Sequence, residues 1–140
     1  MANEAVLMVE LELPIMMTVD NTEAIPKGTL LELVDPFTAS AHDGDEDKFA
    51  GVAAEEKIAN DGKTKIAVYR RGIFKMTCAA AIATIGAVVA LSATANKVKI
   101  SDATCLSSIG LGTALEVTGG ADETFLVDLN IGIGGAIGLS

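Results

Sequence analysis

The side chains able to do chemistry are few and badly placed for it. His42 is the one imidazole in 140 residues, so any Ser-His-Asp or Cys-His nucleophile would have to use it. It heads an acidic run, Asp43-Gly44-Asp45-Glu46-Asp47. Asp43, Asp45 and Asp47 imitate the first three ligands of an EF-hand loop. The sixth position, however, is Lys48 where a glycine is needed, and the twelfth is Ala54 where a carboxylate is needed. The run reads as a solvated loop whose affinity for cations is at most weak. Cys78 and Cys105 fit no metal spacing, which needs closer pairs. A disulfide between them stays open, with two reduced, buried thiols the plainer reading. Tyr69-Arg70-Arg71-Gly72 is the cationic cluster, either a dock for an acidic surface or an exposed corner. Gly110-Leu111-Gly112 and the C-terminal glycines lack the strand-turn-helix setting of a phosphate loop. No catalytic constellation, metal site or cofactor is expected.

The elements around these residues read as strands. Val6 to Val9 is apolar, and Val9, Leu11, Leu13 and Ile15 then alternate with Glu10 and Glu12. Pro14 has no N–H to donate, so this stretch is an edge strand or an extended arm. Residues 29–34, 49–53, 64–69 and 73–76 follow as short strands, with 55–59 as a single helical turn. Gly51 marks a bulge or a close contact. Residues 85–91, 97–100, 109–116 and 123–129 continue the pattern. In the last of these, Phe125, Val127 and Leu129 alternate with Leu126 and Asp128. Turn signals such as Ile25-Pro26-Lys27-Gly28, Asn60-Asp61-Gly62 and Gly119-Gly120 separate the strands. Short strands at this spacing predict an all-β fold, a small barrel or a β-tulip-like sandwich with an extended N-terminal arm. The expected division is an arm over 1–15, one barrel over 16–130, and a glycine-rich apolar tail over 131–140.

Composition narrows the function classes. Hydrophobic residues make up 50% of the chain and charged residues 21%, which excludes disorder throughout. The net charge is −9, with 10 Lys plus Arg against 19 Asp plus Glu. Nucleic acids are bound through cations that displace counterions, so no nucleic-acid partner is expected. Residues 76–96 carry no charge and are long enough to span a bilayer. Eight of its 21 residues are alanine, with scattered Thr, Ser and Asn, and it reads better as two buried strands joined by a turn. No membrane partner is expected, and the acidic start of the chain is unlike a secretory signal.

Parts of the chain look alike at a fixed offset. Gly28-Thr-Leu-Leu-Glu-Leu resembles Gly86-Ala-Val-Val-Ala-Leu, Phe49-Ala-Gly51-Val resembles Ser108-Ile-Gly110-Leu, and Ile66-Ala-Val68 resembles Phe125-Leu-Val127. The offset is 58 or 59 residues each time. This predicts two pseudo-equivalent three-strand units that close one barrel.

The order of segments adds a resemblance. Pro14 to Asp20, Ile25 to Leu33, Ala50 to Lys57 and Asp61 to Phe74 follow one another. Gly86 to Ser92, Ala95 to Val98, Ile109 to Glu116 and Thr124 to Asn130 come after them. Together they resemble the capsid cement, or head decoration, proteins of tailed viruses such as bacteriophages. The apolar tail after Asn130 departs from that pattern. The resemblance implies a structural virion protein made in the host cytoplasm, with no enzymatic activity. It implies binding to the outer surface of an icosahedral capsid, as a homo-oligomer and most often a trimer. The partner would be the major capsid protein, and binding would stabilise the mature shell. Val9, Leu11, Leu13, Pro14, Ile15, Arg70 and Arg71 are then the expected capsid or neighbour contacts. A β-barrel module binding a ligand or a glycan is the alternative, though the chain offers only five aromatic side chains for sugar stacking.

Overall fold

The computed structural model describes residues 3–45, 47–101 and 110–131. The strands are β1 (Val6–Glu10), β2 (Ile15–Thr18), β3 (Leu30–Asp35), β4 (Thr38–Ala41), β5 (Phe49–Ala53), β6 (Lys65–Tyr69), β7 (Gly72–Cys78), β8 (Val88–Leu91), β9 (Lys97–Ile100), β10 (Gly110–Ala114) and β11 (Thr124–Leu129). There is no helix among the described residues. The expected helical turn at 55–59 is instead extended enough for Lys57 to form an antiparallel bridge with Ile25. The fold is all-β and barrel-like, as the turn spacing predicts.

The repeat is real, but it is larger than the sequence suggests. Strands β2-β4-β3-β5-β6 close one barrel, and β7-β9-β8-β10-β11 close a second in the same order. Each unit therefore has five strands and its own closure, rather than three strands contributed to a shared barrel. The sense of every pairing is repeated too. The first and third strands of each unit run parallel, with Thr18 opposite Thr38 and Thr77 opposite Lys97. All the other pairings are antiparallel. The interior residues correspond at an offset of 58 or 59: Met17 with Met76, Val19 with Cys78, Leu31 with Val89, Ala39 with Val98, Ile66 with Phe125 and Val68 with Val127. All twelve are buried. Where the first barrel has leucine the second has valine, and where it has isoleucine the second has phenylalanine, so interior volume is redistributed at close packing.

The uncharged stretch that could have spanned a membrane is the end of β7, a turn and β8. No helix among the described residues is long and apolar enough to cross a bilayer. The N-terminal segment divides at Leu11–Pro14. Residues 6–10 lie antiparallel on the first half of β7, while Ile15–Thr18 belong to the first barrel. Pro14 supplies the break.

The two barrels share a wall. β5 is buried along its whole length. Ala50 and Ala53 face the first barrel's interior, while Phe49 and Val52 join Leu30 and Ala5 in a core continuous with that of the second barrel. Burial on both faces explains why β5 is an apolar run without alternation. Gly51 allows the close approach. Its φ is +149°, and a Cβ there would collide with the Tyr69 carbonyl oxygen and lie 2.5 Å from Val68 Cγ1. The β3–β5 register slips beside it, which is the bulge its glycine signals.

Lys57 plugs the end of the first barrel. The residue is 1% exposed. Its ammonium donates to the carbonyls of Asn21 (2.6 Å), Glu23 (3.0 Å) and Ile58 (3.1 Å) and lies 3.3 Å from Asp61. Three protons meet three acceptors, which is the condition for burying such a charge. Truncating Lys57 to alanine strips three inward carbonyls of their donor. We expect Lys57→Ala to lose about 3 kcal/mol, since each unsatisfied buried group costs roughly 1–3 kcal/mol and water recovers part of it. Chemical denaturation monitored by circular dichroism measures this.

Candidate functional site

The two barrels meet at the His42–Asn96 contact, and the expected site residues fall around that junction or along β1 and β2. His42 is 2% exposed, so the solvated loop expected from the sequence begins only after it. Asn96 is the second residue of the turn between β8 and β9 and has a left-handed backbone, φ +62°, a conformation asparagine tolerates. Its N–H donates to His42 Nε2 at 2.8 Å, and its Oδ1 accepts the Leu30 N–H at 3.0 Å. Because Nε2 accepts, the neutral ring carries its proton on Nδ1. Burial holds the His42 pKa below its usual value, against the pull of Asp47 and Asp43. The imidazole is thus a structural acceptor between barrels.

The acidic loop is reorganised relative to the EF-hand imitation. Asp45 leaves the group to pair with Lys99 of the second barrel at 2.9 Å. Asp43 and Asp47 instead converge with Glu32 of β3, all three offering oxygens within 4.8 Å of one another. Sequence spacing could not bring in Glu32, because only the fold of β3 beside the loop places it there. Its carboxylate accepts the Asp43 N–H at 3.2 Å, and Asp47 Oδ2 accepts the Gly44 N–H at 2.8 Å. Burial, and then the charge of Asp47, push Glu32 up to about 7. A proton held between two close carboxylates explains their coexistence. Glu46 lies outside the described residues.

Among the described residues Cys78 belongs to no group of possible metal ligands. Cys78 is buried as a free thiol, 3.3 Å from Thr118 Oγ1 and donating to the Gly120 carbonyl at 3.1 Å. Cys105 lies outside the described residues, as does the tail beyond Ile131.

The expected contact residues divide into two groups. Val9, Leu11, Leu13 and Ile15 are exposed, Leu13 to 77%, with Pro14 half-buried between them. With Val6, Met8 and Met16 they make seven exposed apolar side chains over residues 6–16, with the exposed Glu10 and Glu12 among them. Arg70 is used internally, where its Nη1 donates to the Ala50 carbonyl at 2.9 Å, while Arg71 is exposed. No local signal singles out Phe37 as an exposed site residue. It is 59% exposed with φ +51°, a backbone that costs a bulky residue about 1–2 kcal/mol. Phe37 and Asn96 occupy the same position of the repeat.

Two changes test this reading of the junction. Asn96→Ala orphans the Leu30 N–H and removes a side chain suited to the left-handed turn, so we expect a loss of about 2 kcal/mol in denaturant unfolding. The carboxylate group predicts a pH profile. Glu32 keeps its proton in the folded chain up to about 7 but loses it near 4.5 when unfolded. Its contribution to stability is therefore lost as pH rises from about 4.5 to about 7. His42 acts with the opposite sign, because its depressed pKa costs stability as pH falls below 6.5. Glu32→Gln should remove the first effect and leave the second. Thermal unfolding from pH 4.5 to 8 should then show the variant gaining on the parent as pH rises.

Comparison with known proteins gives this arrangement a context. A phage cement protein family model matches residues 12–129. The N base of the head fiber protein gp8.5 of bacteriophage phi29 has a similar fold, with a TM-score of 0.53 at 12% identity. The match covers 83% of this chain and 92% of that one. No curated protein matches the chain in sequence. Family proteins of this kind are structural parts of the phage capsid, and with a match over most of its length this chain belongs to the phage cement protein family.

Proposed function

We propose that the chain binds the outer surface of an icosahedral phage capsid, as a trimer, and stabilises the mature shell. The observation that carries this reading is the family match over residues 12–129. The surface chemistry supports it. Seven apolar side chains are exposed within residues 6–16, and exposed apolar surface gathered on one segment marks a contact. Val9, Leu11, Leu13, Pro14 and Ile15 provide the contact, with Arg71 the cation turned outward and Arg70 bracing the corner beneath it. The net charge of −9 suits a surface facing away from packaged DNA.

No active site is needed for this work. A protein that binds only the expanded shell stabilises that state by mass action, by about 2.7 kcal/mol per site at a free concentration one hundred times Kd. The chain would be made in the host cytoplasm and carried on the virion, with the major capsid protein as its partner.

Purified protein mixed with mature shells lacking their cement should co-sediment with them and raise the temperature at which they release DNA. Solution mass measurement should give three chains per particle. Shells that neither take up the protein nor gain heat resistance would exclude the proposal.

A further inference from the structure

We infer that the open edge of β2 over Pro14–Met16 is a strand-acceptor site, and that an extended aliphatic segment of the major capsid protein fills it on the shell. The inference rests on the cement reading and adds the place and chemistry of the contact. It starts from the repeat. Residues 13–16 correspond to 72–75, the first half of β7. In the second barrel that half-strand is paired with β1, Val6-Leu7-Met8-Val9-Glu10, running antiparallel. In the first barrel the same side of β2 is paired only at Thr18, opposite Thr38, and no described residue pairs with 13–16 there. One barrel holds a strand where the other offers a seat.

The seat has usable hydrogen-bonding groups. The Thr18 N–H points to this side, donating to the Phe37 carbonyl at 3.2 Å, while the Val19 N–H points to the opposite side, toward Thr64 at 2.9 Å. Strand alternation then turns the Met16 N–H to the open side, with the Pro14 carbonyl. The side chains on and beside this edge are apolar: Leu13 and Met16 on the segment itself and Phe37 where its carbonyl meets Thr18, all about half exposed or more. Phe37 stands at the turn position where Asn96 makes the junction between barrels. A polar turn residue that docks within the chain is thus replaced, in the unpartnered barrel, by an exposed aromatic. Glu12 and Asp35, both exposed, flank the seat. The strand that fits is therefore aliphatic, like β1, with a basic residue beside the aliphatic run. Strand addition of this kind draws affinity from main-chain bonds and specificity from side-chain pockets.

Two variants test it. Met16→Pro deletes the outward N–H and leaves the β6 ladder intact, because Ile15 and Met17 supply the bonds to β6. Phe37→Asn removes the aromatic wall and places at the turn the residue its counterpart has. Both are measured for binding to cement-free shells, and for thermal unfolding and mass as free proteins. We expect at least tenfold weaker shell binding for each, with Phe37→Asn unfolding at the parent's temperature or higher. A phenylalanine serving only the fold would give the reverse. Parent-like binding by Phe37→Asn overturns the inference, as does a change in the free protein's oligomeric mass, which would make a second copy the occupant. Phe37→Asn decides alone if Met16→Pro does not fold. Parent protein that fails to bind shells overturns the cement reading itself.

Discussion

Asn96 is where the two halves of this protein become one structure. A turn residue with a left-handed backbone presents an N–H to a buried histidine and an amide oxygen to the first N–H of β3. Every partner is buried, so each bond is made where its loss would leave a polar atom away from water. Around this contact, Phe49, Val52 and Leu30 of the first barrel pack into the core of the second. β5 can be buried on both faces because that core lies behind it. The acidic loop also depends on the junction. Asp45 reaches Lys99 across it, leaving Asp43 and Asp47 to crowd Glu32.

The duplication shows one barrel plan put to different ends. The interior positions agree pair by pair while the ends diverge. The first barrel is closed by a buried ammonium among carbonyls, whereas in the second the Thr118 hydroxyl accepts the Ile82 N–H at 2.9 Å. The two β-turns diverge most. Asn96 faces inward and Phe37 outward, although both take the same backbone region. Strain at a residue whose side chain faces outward is the kind of cost that persists at functional positions.

The charges have a consistent sense. Carboxylates outnumber cations, and several of the cations are used within the chain: Lys57 inside the first barrel, Lys97 with Asp122, Lys99 with Asp45 and Arg70 on the β5 carbonyl. The surface left over is acidic and, along β1 and β2, apolar. An acidic surface favours solubility in general, and exposed apolar surface is where partners bind.

Several features were legible in the sequence because they are local. Period-two alternation marked β6 and β11, Pro14 marked the break after the first strand, Gly51 marked a bulge, and a 58–59 residue offset marked the repeat. Each follows from backbone geometry acting over a few residues. How many strands each repeat holds, and that each closes alone, depends on pairings between residues far apart in the chain, such as Thr77 with Lys97. The burial of His42, the arrival of Glu32 in the acidic loop and the exposure of Phe37 are likewise tertiary. They depend on which surfaces the packed barrels cover, and identical local signals occur on covered and uncovered faces. The strand alphabet was written in the chain, and the assignment of faces was settled by packing.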